Sequence, residues 1–219
     1  MANGATIGLR ASPRMSAQVV LGALALLALW FIGRNALRYV HYDTLAYGEF
    51  WPRRFGLVPH VGAGVVALLL GLVQLWLGLS GRTGPLHRLL GRIYLGAIAV
   101  GAVAGMYLAT TTVYPPTFAY RSGLFLLGVA WLIASGMAWL AVRRGAYGLH
   151  REWMIRSFIV TFAFVTFRFV SRIVHGLGME FTDDIAGALA WGCWVVPLMI
   201  AEPLLQWHRL GSRSKPVSR

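Results

Sequence analysis

The stretch LVPHVGAGVVALLLGLVQLWLGL, residues 57–79, contains no Asp, Glu, Lys or Arg. A hydrocarbon core about 30 Å thick is crossed by about 20 apolar residues in a helix, so this run is long enough to span a bilayer. Five more runs of the same character lie at about 17–33, 93–113, 122–142, 157–175 and 185–204. The composition agrees: 58% of the 219 residues are hydrophobic, 12% are charged, and the mean hydropathy is +0.64. A soluble domain carries about a quarter charged residues. These values exclude both a soluble globular fold and intrinsic disorder. The expected fold is all-α, a polytopic membrane bundle of about six transmembrane helices.

Working outward from the helices, the connections fix an orientation. The ends at 10–14, 82–92, 143–156 and 209–219 hold thirteen of the twenty basic residues, and the opposite connections hold five. The excess of Lys and Arg marks the cytoplasmic side, so both termini are expected in the cytoplasm, in a bacterial inner membrane. The net charge of +13 then reflects topology and contact with anionic lipids, not nucleic-acid binding. The first run is followed by Gly33 and Arg34, which offer no small-x-small cleavage pattern, so it is expected to stay as an anchor. The division is a cytoplasmic segment at 1–16, one membrane domain at 17–207 with its core at 55–175, and a basic disordered tail at 208–219. An aromatic connection, 34–56, carries Tyr39, Tyr42, Tyr47, Phe50 and Trp51 and is expected to lie at the outer interface as a helix or lid.

Some polar residues sit where an apolar bundle has little use for them. Arg168 is about 18 Å along a helix from Arg156, well inside the bilayer, where a charge costs several kcal/mol unless protein, water or a counter-charge meets it. Thr161, Arg168, Arg172 and His175 are spaced to form one stripe, expected to face the interior. No acidic residue is placed to neutralise Arg168. Hydroxyls and carbonyls around Tyr107 and Thr110 to Thr112 are the structural alternative to an anionic ligand. Glu202, between Pro197 and Pro203, is expected to pair with Arg156, and Gln74 to bond a neighbouring helix. Gly101 and Gly105 form a GxxxG step expected to bring two helices close. Cys193 is the single cysteine, so no disulfide or cysteine metal cluster forms within the chain. No catalytic triad, HExxH, CxxC or phosphate-binding glycine loop is present.

Four histidines sit at helix ends, His87 and His150 on the inner side, His60 and His175 on the outer. Paired imidazoles from facing helices ligate haem iron. Arg92, Arg156, Arg168 and Arg172 are placed to receive propionates or other anions. His87 with His150 forms an inner pair and His60 with His175 an outer one.

The order His60, Gly64, Gly71, Gln74, then His87-Arg88 with Gly91-Arg92-Ile93-Tyr94, then His150-Arg151-Glu152-Trp153-Met154-Ile155-Arg156-Ser157, then Phe167-Arg168, resembles a bacterial family of predicted membrane proteins catalogued as a domain of unknown function. The resemblance covers about 55–175. It implies that His60, His87, His150, Arg156 and Arg168 are characteristic positions, and it carries no activity. The helix-end histidines also look like those of two-haem b-type membrane cytochromes, a likeness of fold alone. Three functions stand open. The first is a haem b protein that moves electrons or assists a respiratory complex, with His87, His150 and His60 as iron ligands. The second is a transporter or binder of a lipophilic anion or lipid held by Arg168 and Arg172. The third is an accessory subunit docked on a larger membrane complex, or a homo-oligomer.

Overall fold

The computed structural model describes residues 13–111 and 117–213. Among these residues there are helices and turns but no strand. Helix α1 (Pro13–Phe31) runs into a wide turn at Ile32–Ala36 and a tight one at Leu37–Val40. A short α2 (Thr44–Tyr47) and a further tight turn at Gly48–Arg53 complete the connection. There follow α3 (Arg54–Leu79), α4 (Pro85–Thr111), α5 (Phe118–Arg143), α6 (Tyr147–Thr161), α7 (Ala163–Gly176) and α8 (Asp183–Arg213). Among the described residues five helical stretches are long and apolar enough to cross a membrane, and α6 with α7 makes a sixth if that bent pair is one span. The N-terminal residues 1–12 and the last residues of the basic tail, 214–219, lie outside the described part; α8 itself continues to Arg213.

Local chemistry sets the helix ends. Pro85 opens α4, where its missing N–H and fixed φ cost nothing. α3 and α5 finish alike: Gly81 and Gly145 both adopt φ +70°, and the following N–H reaches back five residues, Arg82 to the Leu77 carbonyl and Ala146 to the Ala141 carbonyl, each at 2.9 Å. A left-handed glycine just past the helix closes its last carbonyls in this way. The two short turns that result, α3–α4 and α5–α6, define one end of the bundle, rich in arginine. The opposite end carries the aromatic connection and the α7–α8 turn.

The expected span at 157–175 is not one helix. α6 and α7 meet at Phe162 with a bend of 41°. No proline or glycine causes it. The Thr161 hydroxyl donates to the Ser157 carbonyl at 2.8 Å, a back-bond that bends helices, and the same oxygen receives two bonds from other helices, described below. The break divides the stripe expected over Thr161, Arg168, Arg172 and His175, leaving Thr161 on α6 and the other three on α7, and those three are exposed where an interior face was expected.

Small residues carry the packing, as they must where lipid removes the hydrophobic advantage of burial. The main core joins Ala67, Tyr94, Ile98, Ala102, Leu127, Trp131, Val160, Ala163 and Phe167 with Ala190 and Cys193 of α8. α8 also packs on α5, α6 and α7, so the last helix belongs to the core, which does not stop at residue 175. α1 is the peripheral helix, held by α3 and α7 through a separate cluster around Ala28, Leu68 and Phe162. At Gly71 a Cβ would stand 2.7 Å from the Phe158 ring and 3.1 Å from Tyr94. Overpacking of this kind costs about 1–3 kcal/mol. Gly71→Ala is therefore expected to lower the Tm in detergent by several degrees, measured beside Gly62→Ala, which meets open space and should leave it unchanged.

Candidate functional site

A cavity of about 220 Å³ opens among α3, α4, α5 and the α6–α7 break. Its polar lining includes Asn35, Tyr39, His60, Tyr120, Arg121 and Arg168, with Thr161 and Trp131 deeper in. Tyr120 and Arg121 are in the first turn of α5, and Trp131 is eleven residues beyond Tyr120, about 16 Å at 1.5 Å per residue. The cavity thus runs from the aromatic end of the bundle toward its middle. Tyr39 and Phe50 of the aromatic connection line it too. That connection packs on α3 and α4 through Tyr47, Leu57 and Leu108 and is fixed by Arg38, which donates twice to the Ala46 carbonyl, at 3.0 and 2.8 Å.

His60 is seated by glycine. Its Nδ1 lies 2.8 Å from the Gly101 carbonyl oxygen. A Cβ on Gly105 would stand 2.9 Å from the imidazole Cε1 and Nδ1, so the missing side chain is what admits the ring. Phe164 meets the ring edge-on at 6.2 Å. The GxxxG step expected to bring two helices close faces α3, against which α4 packs: Gly105 admits the imidazole from that helix, while a Cβ on Gly101 would meet Trp131 and Ala63 in ordinary contact. A carbonyl only accepts, so Nδ1 carries the hydrogen and a neutral ring presents a lone pair at Nε2.

Arg168 lines the same cavity, is an exposed residue, and is within electrostatic reach of Tyr120. Its guanidinium lies 5.7 Å from the Phe167 ring; among the described residues it makes no hydrogen bond or ion pair. The hydroxyls considered as partners are used elsewhere: Thr110 and Thr111 donate to carbonyls of their own helix, and Thr112 lies outside the described residues. All seven Asp and Glu residues are described, and none lines the cavity.

Beneath it lies a buried polar network. The Trp131 Nε1–H donates to Thr161 Oγ1 at 2.9 Å. Tyr94 Oη is 2.9 Å from both Ser157 Oγ and Thr161 Oγ1, and Ser135 Oγ is 2.9 Å from Ser157 Oγ. One proton per hydroxyl gives a single consistent arrangement. Thr161 spends its proton on the Ser157 carbonyl, so Tyr94 donates to Thr161, Ser157 to Tyr94, and Ser135 to Ser157. Every member is satisfied, which is the condition for burying such groups.

The remaining candidates are placed elsewhere. Arg172 lies over the Trp30 ring at 5.0 Å, and His175 is exposed, donates to the Ser171 carbonyl at 2.7 Å and stacks on Phe181. Neither lines the cavity, so His60 and His175 do not share a site. Arg156 is committed, as expected, to Glu202, at 3.0 and 2.6 Å, with Glu152 3.7 Å away. Gln74 donates to the His87 carbonyl at 3.0 Å. Arg92 is exposed. At the arginine-rich end His87 and His150 are electrostatic neighbours; His150 Nδ1 is 2.9 Å from the Ala138 carbonyl, and His87 Nδ1 is enclosed without a hydrogen-bond partner. No group of three or more His, Cys, Asp or Glu side chains able to hold a metal occurs among the described residues. Sequence reasoning missed Arg121 and Tyr120, which sit at a helix start where arginine and tyrosine read as membrane-interface residues.

A family model described as predicted membrane protein (DUF2306) matches residues 57–205. No curated protein and no solved structure matches the chain.

Proposed function

We propose a function on the premise that the chain belongs to the DUF2306 family of predicted membrane proteins, whose match takes in α3 to α8 and with them most of the cavity wall: the protein binds or carries an amphipathic anion. The observation that carries this reading is Arg168, a guanidinium in a membrane helix, lining a cavity and without an acidic partner. A charge there is costly unless something neutralises it, and a bound carboxylate or phosphate oxygen does so with charge-assisted hydrogen bonds. The cavity volume lies below the roughly 300–1,000 Å³ of sites that enclose a drug-sized ligand, so it suits a head group, with the tail left to the apolar helices and the lipid. By the excess of basic residues at the other end, this site belongs to the outer leaflet of a bacterial inner membrane.

The test is titration of the purified full chain in detergent with anionic amphiphiles, neutral amphiphiles of the same tail serving as controls. Saturable binding of an anion is expected; equal binding of charged and neutral head groups overturns the reading.

His87 and His150 support a second reading. With its Nδ1 on the Ala138 carbonyl, His150 keeps Nε2 for a metal, the arrangement that orients ligating histidines. A haem b held by this pair is tested by a reduced-minus-oxidised visible spectrum with pyridine-haemochrome quantification. A colourless, folded protein from haem-replete cells rejects it.

A further inference from the structure

We propose, resting on the anion-binding reading above, that the cavity selects a phosphate monoester head group. The requirement comes from two side chains that want opposite things. Arg168 offers only N–H donors and takes a negative oxygen. His60 lines the cavity and holds its one hydrogen on the Gly101 carbonyl, so its other nitrogen, Nε2, carries a lone pair. Among the described residues that nitrogen makes no hydrogen bond. A negative oxygen placed against it is repelled, and a donor placed against it is bound.

The head group must therefore carry an acidic oxygen and an O–H within one small cluster, because the cavity holds little more than a head group. A carboxylate has acceptors only. So has the acidic group of a phosphate diester. The monoanion of a phosphate monoester has both, P–O⁻ for Arg168 and P–O–H for His60, and its third oxygen accepts from the Tyr120 hydroxyl, which also lines the cavity and has no other hydrogen bond among the described residues. The seat is rigid: Gly105 and Phe164 bound the imidazole, so Nε2 has little freedom to turn from the ligand.

The experiment uses the full chain in detergent and four probes: dioleoyl phosphatidic acid, its methyl diester with the same tails, oleate, and glycerol phosphate as a competitor. Phosphatidic acid is expected to bind about tenfold or more tighter than the methyl diester and oleate, the scale of one hydrogen bond to a charged group. In His60→Ala the ratio to the diester falls to about one. Gly105→Ala drives a methyl group into the ring position and is expected to narrow the ratio too; it serves if His60→Ala does not fold. Competition by glycerol phosphate at similar concentration identifies a soluble phosphate as the natural ligand, and its failure identifies a lipid.

Equal binding of phosphatidic acid and its methyl diester to the native protein overturns the inference while leaving anion binding intact. A preference that survives His60→Ala also overturns it, since that preference is for charge alone. Binding of none of the anions removes the reading beneath it.

Discussion

Arg168→Gln lowers affinity for an amphipathic anion by about a hundredfold or more, and the protein stays folded. The magnitude follows from what is removed. A guanidinium donates two parallel charge-assisted bonds to a carboxylate or phosphate, each worth about 1.5–3 kcal/mol, and 1.4 kcal/mol is a factor of ten. Folding survives because Arg168 has no acidic partner to strand; glutamine leaves no uncompensated carboxylate behind, and the cost of placing a cation in the membrane is lifted. Arg172→Gln is the matched control, one turn further along α7 over Trp30 and away from the cavity. The pair is read by anion titration together with circular dichroism. Unchanged affinity in Arg168→Gln would sink the assignment of the head-group site.

Thr161→Val has the largest expected effect on stability. The two side chains have nearly the same shape, so packing is kept while the hydroxyl is lost. Trp131 Nε1–H and Tyr94 O–H both aim at that oxygen, and a buried donor left without a partner costs about 1–3 kcal/mol. A total of about 2–4 kcal/mol is expected, a Tm in detergent lower by well over five degrees, and altered Trp131 fluorescence. Thr161→Ser, which keeps the oxygen, should recover most of the loss. If valine leaves the Tm unchanged, the network does not hold the α6–α7 junction.

Much of this was legible in the chain. The membrane bundle follows from 57–79 and its five companions, because nothing but length and apolarity is needed to read a span. The Arg156–Glu202 pair and the Gln74 bond were legible too, since an isolated polar residue in an apolar run has few places to go. The kink at Phe162 was not. It arises from a threonine whose oxygen is engaged by Trp131 and Tyr94, and no residue near 162 signals it. The same limit hid the use of Gly105: small residues at GxxxG spacing look alike whether they admit a helix or an imidazole. Arg121 and Tyr120 were hidden by position, because a helix start is where such residues are expected to be unremarkable.

The fixed direction of the hydroxyl chain grades its tolerance to mutation. Because Thr161 gives its proton to the Ser157 carbonyl, each hydroxyl upstream has one role. Loss of Ser135, at the donor end, leaves the other bonds as they are. Loss of Thr161 takes the shared acceptor from Tyr94 and Trp131 together, and leaves Ser157 as the one hydroxyl beside Tyr94. Substitutions in this set should therefore be epistatic: Ser157→Ala costs one amount in the native chain and another once Thr161 has gone. A lineage of such proteins would lose the set from the Ser135 end first and keep or exchange Tyr94, Trp131 and Thr161 together.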